Sequence, residues 1–145
     1  MKHRIAGIAL AGLAFCLVFG LLAEAEDNNI YVVQPFNAAA IDETNQVSIA
    51  YELSQFKPEG FFSFQIAVTG TGVVQTAKYE LSNSGSDFVT PTGASDIVSN
   101  IASNSGPNSD GVTFVSFDPE IARFLRIRIA VTNGLATVSG WLAIQ

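Results

Sequence analysis

Beyond residue 25 the chain has neither histidine nor cysteine, since its one His (His3) and one Cys (Cys16) both fall in the apolar N-terminal stretch. Nucleophilic catalysis through imidazole or thiolate, and metal binding through either, is therefore closed to the rest of the chain. The oxygen donors that remain suit a hard cation. Asn108 and Asp110 in a polar loop, with Asp118 and Glu120 after the next apolar run, would ligate calcium if the fold brought them to about 2.3 to 2.6 Å from one point. No Asp-x-Asp-x-Asp run is present, and solvated turn acids are the alternative. Otherwise no cofactor is expected. A carboxylate-pair hydrolase would need two acids fixed across a deep cleft. Short connections give little material for one, so the protein is expected not to be an enzyme.

Binding chemistry has more candidates. Arg126 and Arg128 share one face of a strand, with Phe124 beside them, and form the only basic stripe in an acidic chain. They would receive a sugar acid or an acidic neighbour, unless they pair across the sheet with Glu52 or Glu80, an arrangement worth about 1 kcal/mol or less. Phe56 and Phe61 flank the turn Lys57-Pro58-Glu59-Gly60. They either form an exposed aromatic pair for a ligand or seal one end of the core. Trp141, the only tryptophan, lies in the last strand with Leu135, Thr137 and Ser139 and is expected to be a buried or half-buried core residue.

These side chains must be positioned by strands. Val47, Ile49, Tyr51 and Leu53 alternate with smaller or polar residues, as do Phe62, Phe64, Ile66 and Val68, and Leu125, Ile127, Ile129 and Val131. Each set predicts a strand with one buried face. Asn29 to Gln34 is a short β-rich run ended by Pro35, and Val73 to Ser82 turns Ala77, Tyr79 and Leu81 inward. Gly70-Thr71-Gly72 and Asn133-Gly134 both predict hairpins. Asp96 to Ser103 is a weaker strand, Asn104 to Gly111 a loop, and Val112 to Phe117 and Leu135 to Ile144 are further strands. Seven or eight strands at intervals of about 10 residues predict an all-β fold, a single antiparallel β-sandwich like a jelly roll.

Ahead of it stands a basic start (Lys2, His3, Arg4), the apolar run Ile5 to Leu22, and Ala23-Glu24-Ala25. This is the order of a secretory signal peptide, residues 1–25, cleaved after Ala25. The run also reaches the lower limit of a membrane span, but the acidic, polar stretch at 26–29 favours cleavage. The sandwich domain is then 26–145, secreted or periplasmic, without stable membrane insertion. Its 5 basic and 12 acidic residues leave it at −7, which repels nucleic acid and anionic lipid. Lacking disulfides, it must stand on its packing, with self-association or a bound ion as further supports.

Two segments resemble a family. Tyr79-Glu80-Leu81-Ser82-Asn83-Ser84-Gly85-Ser86-Asp87-Phe88-Val89 resembles the strand, turn and aromatic of discoidin-like, galactose-binding-like jelly rolls. Glu120-Ile121-Ala122-Arg123-Phe124-Leu125-Arg126-Ile127 is similar to the same family's later strand, in which Ala-Arg-Tyr precedes an apolar-Arg-apolar run. Ser84 stands where the family often has Asp, and Phe88 where it often has Trp. The resemblance implies a module that binds sugars or other surfaces through loops at one end, often with a structural calcium ion, and would place Phe88 with Tyr79 and Leu81 in the core. A secreted, non-enzymatic module binding a glycan or cell-surface ligand is the expectation. The alternative is a structural subunit of an extracellular or virion-like assembly, and the course of residues 28–36 discriminates: tucked into its own sheet for the first, reaching away for the second.

Overall fold

In the computed structural model, which describes residues 29–56 and 58–145, the alternating runs form two antiparallel sheets packed face to face. The strands are β1 (Tyr31–Asp42), β2 (Asn45–Val47), β3 (Tyr51–Glu52), β4 (Phe62–Gly70), β5 (Val73–Ser82), β6 (Val98–Ile101), β7 (Val112–Phe117), β8 (Phe124–Thr132) and β9 (Leu135–Ile144). The first sheet has the order β1-β9-β4-β7. The second runs β2-β8-β5-β6, with β3 also beside β8. This all-β two-sheet sandwich is compatible with a jelly roll. Among the described residues no helix is long and apolar enough to cross a membrane. The signal-peptide and cleavage-site expectations lie outside the described residues.

The period-two pattern locates the core. Phe64, Ile66, Val68, Val138, Leu142 and Ile144 from the first sheet meet Val74, Ala77, Leu125, Ile127 and Ile129 from the second, all fully buried. Each large aliphatic contributes about 1.5 to 3 kcal/mol by leaving water. Tyr79, Phe117 and Phe62 close one end, with the Tyr79 and Phe117 rings stacked at 5.4 Å.

Both predicted hairpins are corners instead. β4 and β5 lie in opposite sheets, and so do β8 and β9. Each turn folds one apolar face over the other, which closes a core at once, whereas an in-plane hairpin would leave two apolar faces side by side. The corners interlock: the N–H groups of Thr71 and Gly72 both donate to the Leu135 carbonyl. Gly72 lies so close to the Gly134 carbonyl that no Cβ fits.

Pro35 does not end the first strand. β1 continues to Asp42 because it is an edge strand, where a missing N–H costs little, and two register shifts around Phe36 absorb the proline. The run from Val47 to Leu53 is not one buried face either. β2 and β3 pair with β8 in registers that differ by one residue, so an extra residue bulges between them. Ser48 turns inward and its hydroxyl accepts the Ile127 N–H at 3.0 Å, in place of a backbone carbonyl. Ile49 is thrown outward, 74% exposed, while Tyr51 and Leu53 are buried. The weak strand after Asp96 shortens to β6.

Candidate functional site

Arg126 and Arg128 point outward from β8, opposite Glu80 and Lys78 of β5. Glu80 is only 4% exposed, although it stands on the sheet's outer face. Two arginines pair with it, and Phe88 packs on the first of them. Arg126 donates to Oε2 at 2.6 Å, Arg128 donates to Oε1 at 3.2 Å, and the Phe88 ring lies 4.2 Å from the Arg126 guanidinium. Phe88 is thus outside the core, contrary to its expected place. Val89 pairs with Leu81 as a bridge beyond the edge of β5, which puts the residue before it on the outer face. Of the two pairings expected for the arginines, the one with Glu80 forms. Glu52 is taken by Arg123, whose Nε and Nη2 both donate to Oε1 at 3.0 and 2.9 Å. That hydrogen bonding holds the Glu52 carboxyl below the usual carboxylate range. Lys78 pairs with Asp96 at 3.1 Å.

The four calcium candidates do not meet. Asn108 and Asp110 precede β7, and Asp118 and Glu120 follow it. A six-residue strand holds them about 20 Å apart. Asp110 accepts the Val112 N–H at 3.0 Å, an Asx turn that shapes the loop. Asp118 and Glu120 line a cleft of about 420 Å³ with Tyr79 and Asp96, where Glu120 accepts the Tyr79 hydroxyl at 3.0 Å. Burial, and then Glu120, push the Tyr79 phenol up to about 12. No group of three or more carboxylate, imidazole or thiolate side chains among the described residues could hold an ion.

Phe56 and Phe61 part company. Phe56 packs against the core and meets the Tyr31 ring edge-on at 5.5 Å. Phe61 is 64% exposed and forms one wall of a depression of about 280 Å³ on the outer face of the first sheet. Phe114, 63% exposed, and Ile30 are further walls, with Ser63, Ser116 and Ala143 among the lining residues and Asp118 at one side. One row along, strand register aligns Trp141, Gln65 and Phe114 across β9, β4 and β7. Trp141 is half-buried as expected but lies on this outer face, not in the core. Inward-facing Gly140 precedes it, with no space for a side chain: a Cβ there would stand 2.8 Å from the Phe64 ring. Ser139 and Thr137 extend the face along β9, and Ala67 and Thr69 along β4. Within β4, β7 and β9 the face carries no charge, while Asp42 of β1, opposite Leu135, stands at its far end.

The arginine stripe and Phe61 were visible in the sequence. Trp141 lies on the side opposite to the core position its strand predicts, and composition alone does not single out Phe114, Gln65, Ser63 or Ser116. Their signal was phase: Gln65 and Ser63 are the outward members of the clearest alternation in the chain, and β7 pairs Phe114 and Ser116 with them. No protein-family model and no curated protein matches the chain.

Proposed function

We propose that this protein is a secreted, non-enzymatic β-sandwich module that binds a glycan, and that the outer face of the first sheet, not the end loops, is the binding surface. The observation that carries this reading is the stretch of β4, β7 and β9, itself without charge, on which Phe114 and Trp141 stand with the neighbouring Phe61 among Ser63, Gln65, Ser116 and Ser139. A sugar ring offers an apolar face of C–H groups and an edge of hydroxyls. Aromatic rings take the first, while serine hydroxyls and a glutamine amide take the second, the mix found in small-molecule sites generally. With no cation in β1, β4, β7 or β9, and with the carboxylates Asp42 and Asp118 at the margins of the face in a protein of charge −7, a neutral glycan is favoured over an acidic one.

Other features support the same reading. The two segments that resemble galactose-binding-like jelly rolls lie side by side, Tyr79 opposite Ile127 and Leu81 opposite Leu125. Of the ten acids among the described residues, six hold structural partners: Glu52 and Glu80 with arginines, Asp96 with Lys78, Glu120 with Tyr79, Asp87 with Ser84 and Ser86, and Asp110 with the Val112 N–H. That speaks for binding over hydrolysis. β1 pairs along its length with β9 of its own sheet, which favours a self-contained module over an arm exchanged between copies. The signal-like N-terminus supports export.

A glycan array followed by calorimetry tests the reading. Neutral oligosaccharides should bind, and Phe114→Ala or Trp141→Ala should weaken them about tenfold or more, as for aromatic anchors. Equal binding by wild type and both variants, or no glycan bound at all, would overturn it. The second reading, a subunit of an extracellular assembly, is favoured by the exposed apolar Ile30, Val32, Phe61 and Phe114 on that same face. Light scattering on the eluting protein separates the two: a defined oligomer that Phe114→Ala disperses supports the subunit.

A further inference from the structure

The outer face of the second sheet holds a cavity of about 260 Å³ between β2, β8 and β5, lined by Asn45, Thr76, Lys78, Thr90, Arg128 and Ala130. Its polar lining is two cations, two hydroxyls and one amide, with no carboxylate. Strand register accounts for the convergence. Asn45, Ala130 and Thr76 form one cross-strand row, and Arg128 and Lys78 stand in the next. Thr90 follows Val89, the residue that bridges to Leu81 at the edge of β5, so it overhangs the same face.

Charge counting shows what the cavity lacks. Arg126, Arg128 and Lys78 are matched by two carboxylates, Glu80 and Asp96, which leaves one positive charge. The excess resides on Arg128. Arg126 takes the shorter contact with Glu80, whereas Arg128 makes one contact at 3.2 Å and keeps 46% of its side chain exposed. A guanidinium has five N–H donors in a planar fork suited to an oxyanion, and only one of Arg128's reaches Glu80. The side-chain hydrogen bonds within the described residues use neither the Thr76 and Thr90 hydroxyls nor the Asn45 amide, so all three can turn to a ligand.

We infer that this cavity binds the oxyanion of an acidic sugar, a carboxylate or a sulfate ester, with Arg128 and Lys78 holding the anion and Asn45, Thr76 and Thr90 the neighbouring hydroxyls. The anion follows from the geometry alone; that a sugar bears it rests on the glycan-binding reading. Repulsion from the protein's net charge does not forbid this. At physiological salt the Debye length is about 8 Å, so the local cations dominate inside the cavity.

Calorimetry on the full mature protein tests the inference with oligogalacturonate for the carboxylate, a heparin-derived hexasaccharide for the sulfate and a neutral dextran oligomer as control. At least one acidic probe should bind at millimolar concentration or below, and the one that binds identifies the oxyanion. Added salt should weaken it, Arg128→Gln should reduce affinity about tenfold, and Thr90→Val, which leaves every ion pair intact, about threefold. Phe114→Ala, on the other sheet, should leave this binding unchanged. Failure of both acidic probes, or unchanged affinity in Arg128→Gln and Thr90→Val, overturns the inference. Should Arg128→Gln fail to fold, Thr90→Val decides alone. Acidic probes that fail while neutral glycans still bind through Phe114 and Trp141 leave the first-sheet reading standing, and the converse result removes that reading alone.

Discussion

Glu80 shows how one buried acid changes the weight of its partners. An exposed Arg–Glu pair is worth about 1 kcal/mol at most, and from sequence Arg126 would be expendable for folding. Here the carboxylate is buried and held by both arginines, so removing Arg126 leaves a buried acceptor holding one longer contact. We expect Arg126→Ala to cost about 1 to 3 kcal/mol in denaturant melts. Ile127→Ala, on the opposite face of the strand, should cost about 2 to 5 kcal/mol. A loss at Arg126 no larger than at an isolated surface arginine would remove Glu80 from the structural account. Tyr79 sets the alkaline limit. Its phenol, ordinarily near 10, is raised to about 12, so the folded state favours the neutral form. That stabilisation is complete below pH 10 and is lost as pH climbs towards 12, because the unfolded chain ionises first. Stability should therefore decline through that interval, and Tyr79→Phe should flatten the decline. An identical pH profile in the variant would contradict this.

The strands that alternate without interruption, β4, β8, β9 and β5 from Ala77 onwards, were legible because each buries one face and a slip of a single residue would expose all of it. Their connections were not. Gly70-Thr71-Gly72 and Asn133-Gly134 supply positive-φ residues that serve a hairpin and an inter-sheet corner equally well, and only the pairing of distant strands decides between them. Phase was lost for a similar reason between β2 and β3. Nothing local to Val47-Ser48-Ile49 shows that Ser48 will replace a carbonyl in the ladder and turn Ile49 to solvent. The pattern in the sequence and the bulge in the structure make opposite predictions here. Ile49→Ser should change stability by about 0.5 kcal/mol or less, as at an ordinary surface site. Ser48→Ala, a smaller chemical change, should cost about 1 to 3 kcal/mol by orphaning the buried Ile127 N–H. The reverse order would mean that β2 and β3 form one regular strand. The candidate site suffered the same limit. Arg126 and Arg128 declared themselves by charge, whereas Trp141 and Phe114 become neighbours only through the register of β9, β4 and β7.

At the scale of the whole molecule the sandwich presents two outer faces of unlike chemistry. The first sheet offers aromatic rings, an amide and hydroxyls, with carboxylates only at the margins; the second offers a ladder of ion pairs with one cation in excess. Between them lies a core about 10 Å thick, closely packed and free of charged groups. Two such faces should bind independently, since a rigid core has no evident second arrangement through which one could influence the other. Trp141 makes this measurable, because it is the only tryptophan and stands on the first face. A neutral glycan seated against Phe114 and Gln65 should shift or quench the tryptophan emission and shield it from acrylamide. An acidic sugar held by Arg128 on the far side should bind by calorimetry and leave the emission unchanged. Titrating both together should give additive heats, with each affinity unaltered by the other ligand. An emission change driven by the acidic ligand and lost in Arg128→Gln would show instead that the two faces communicate, and the description of the core as an inert spacer would have to be abandoned.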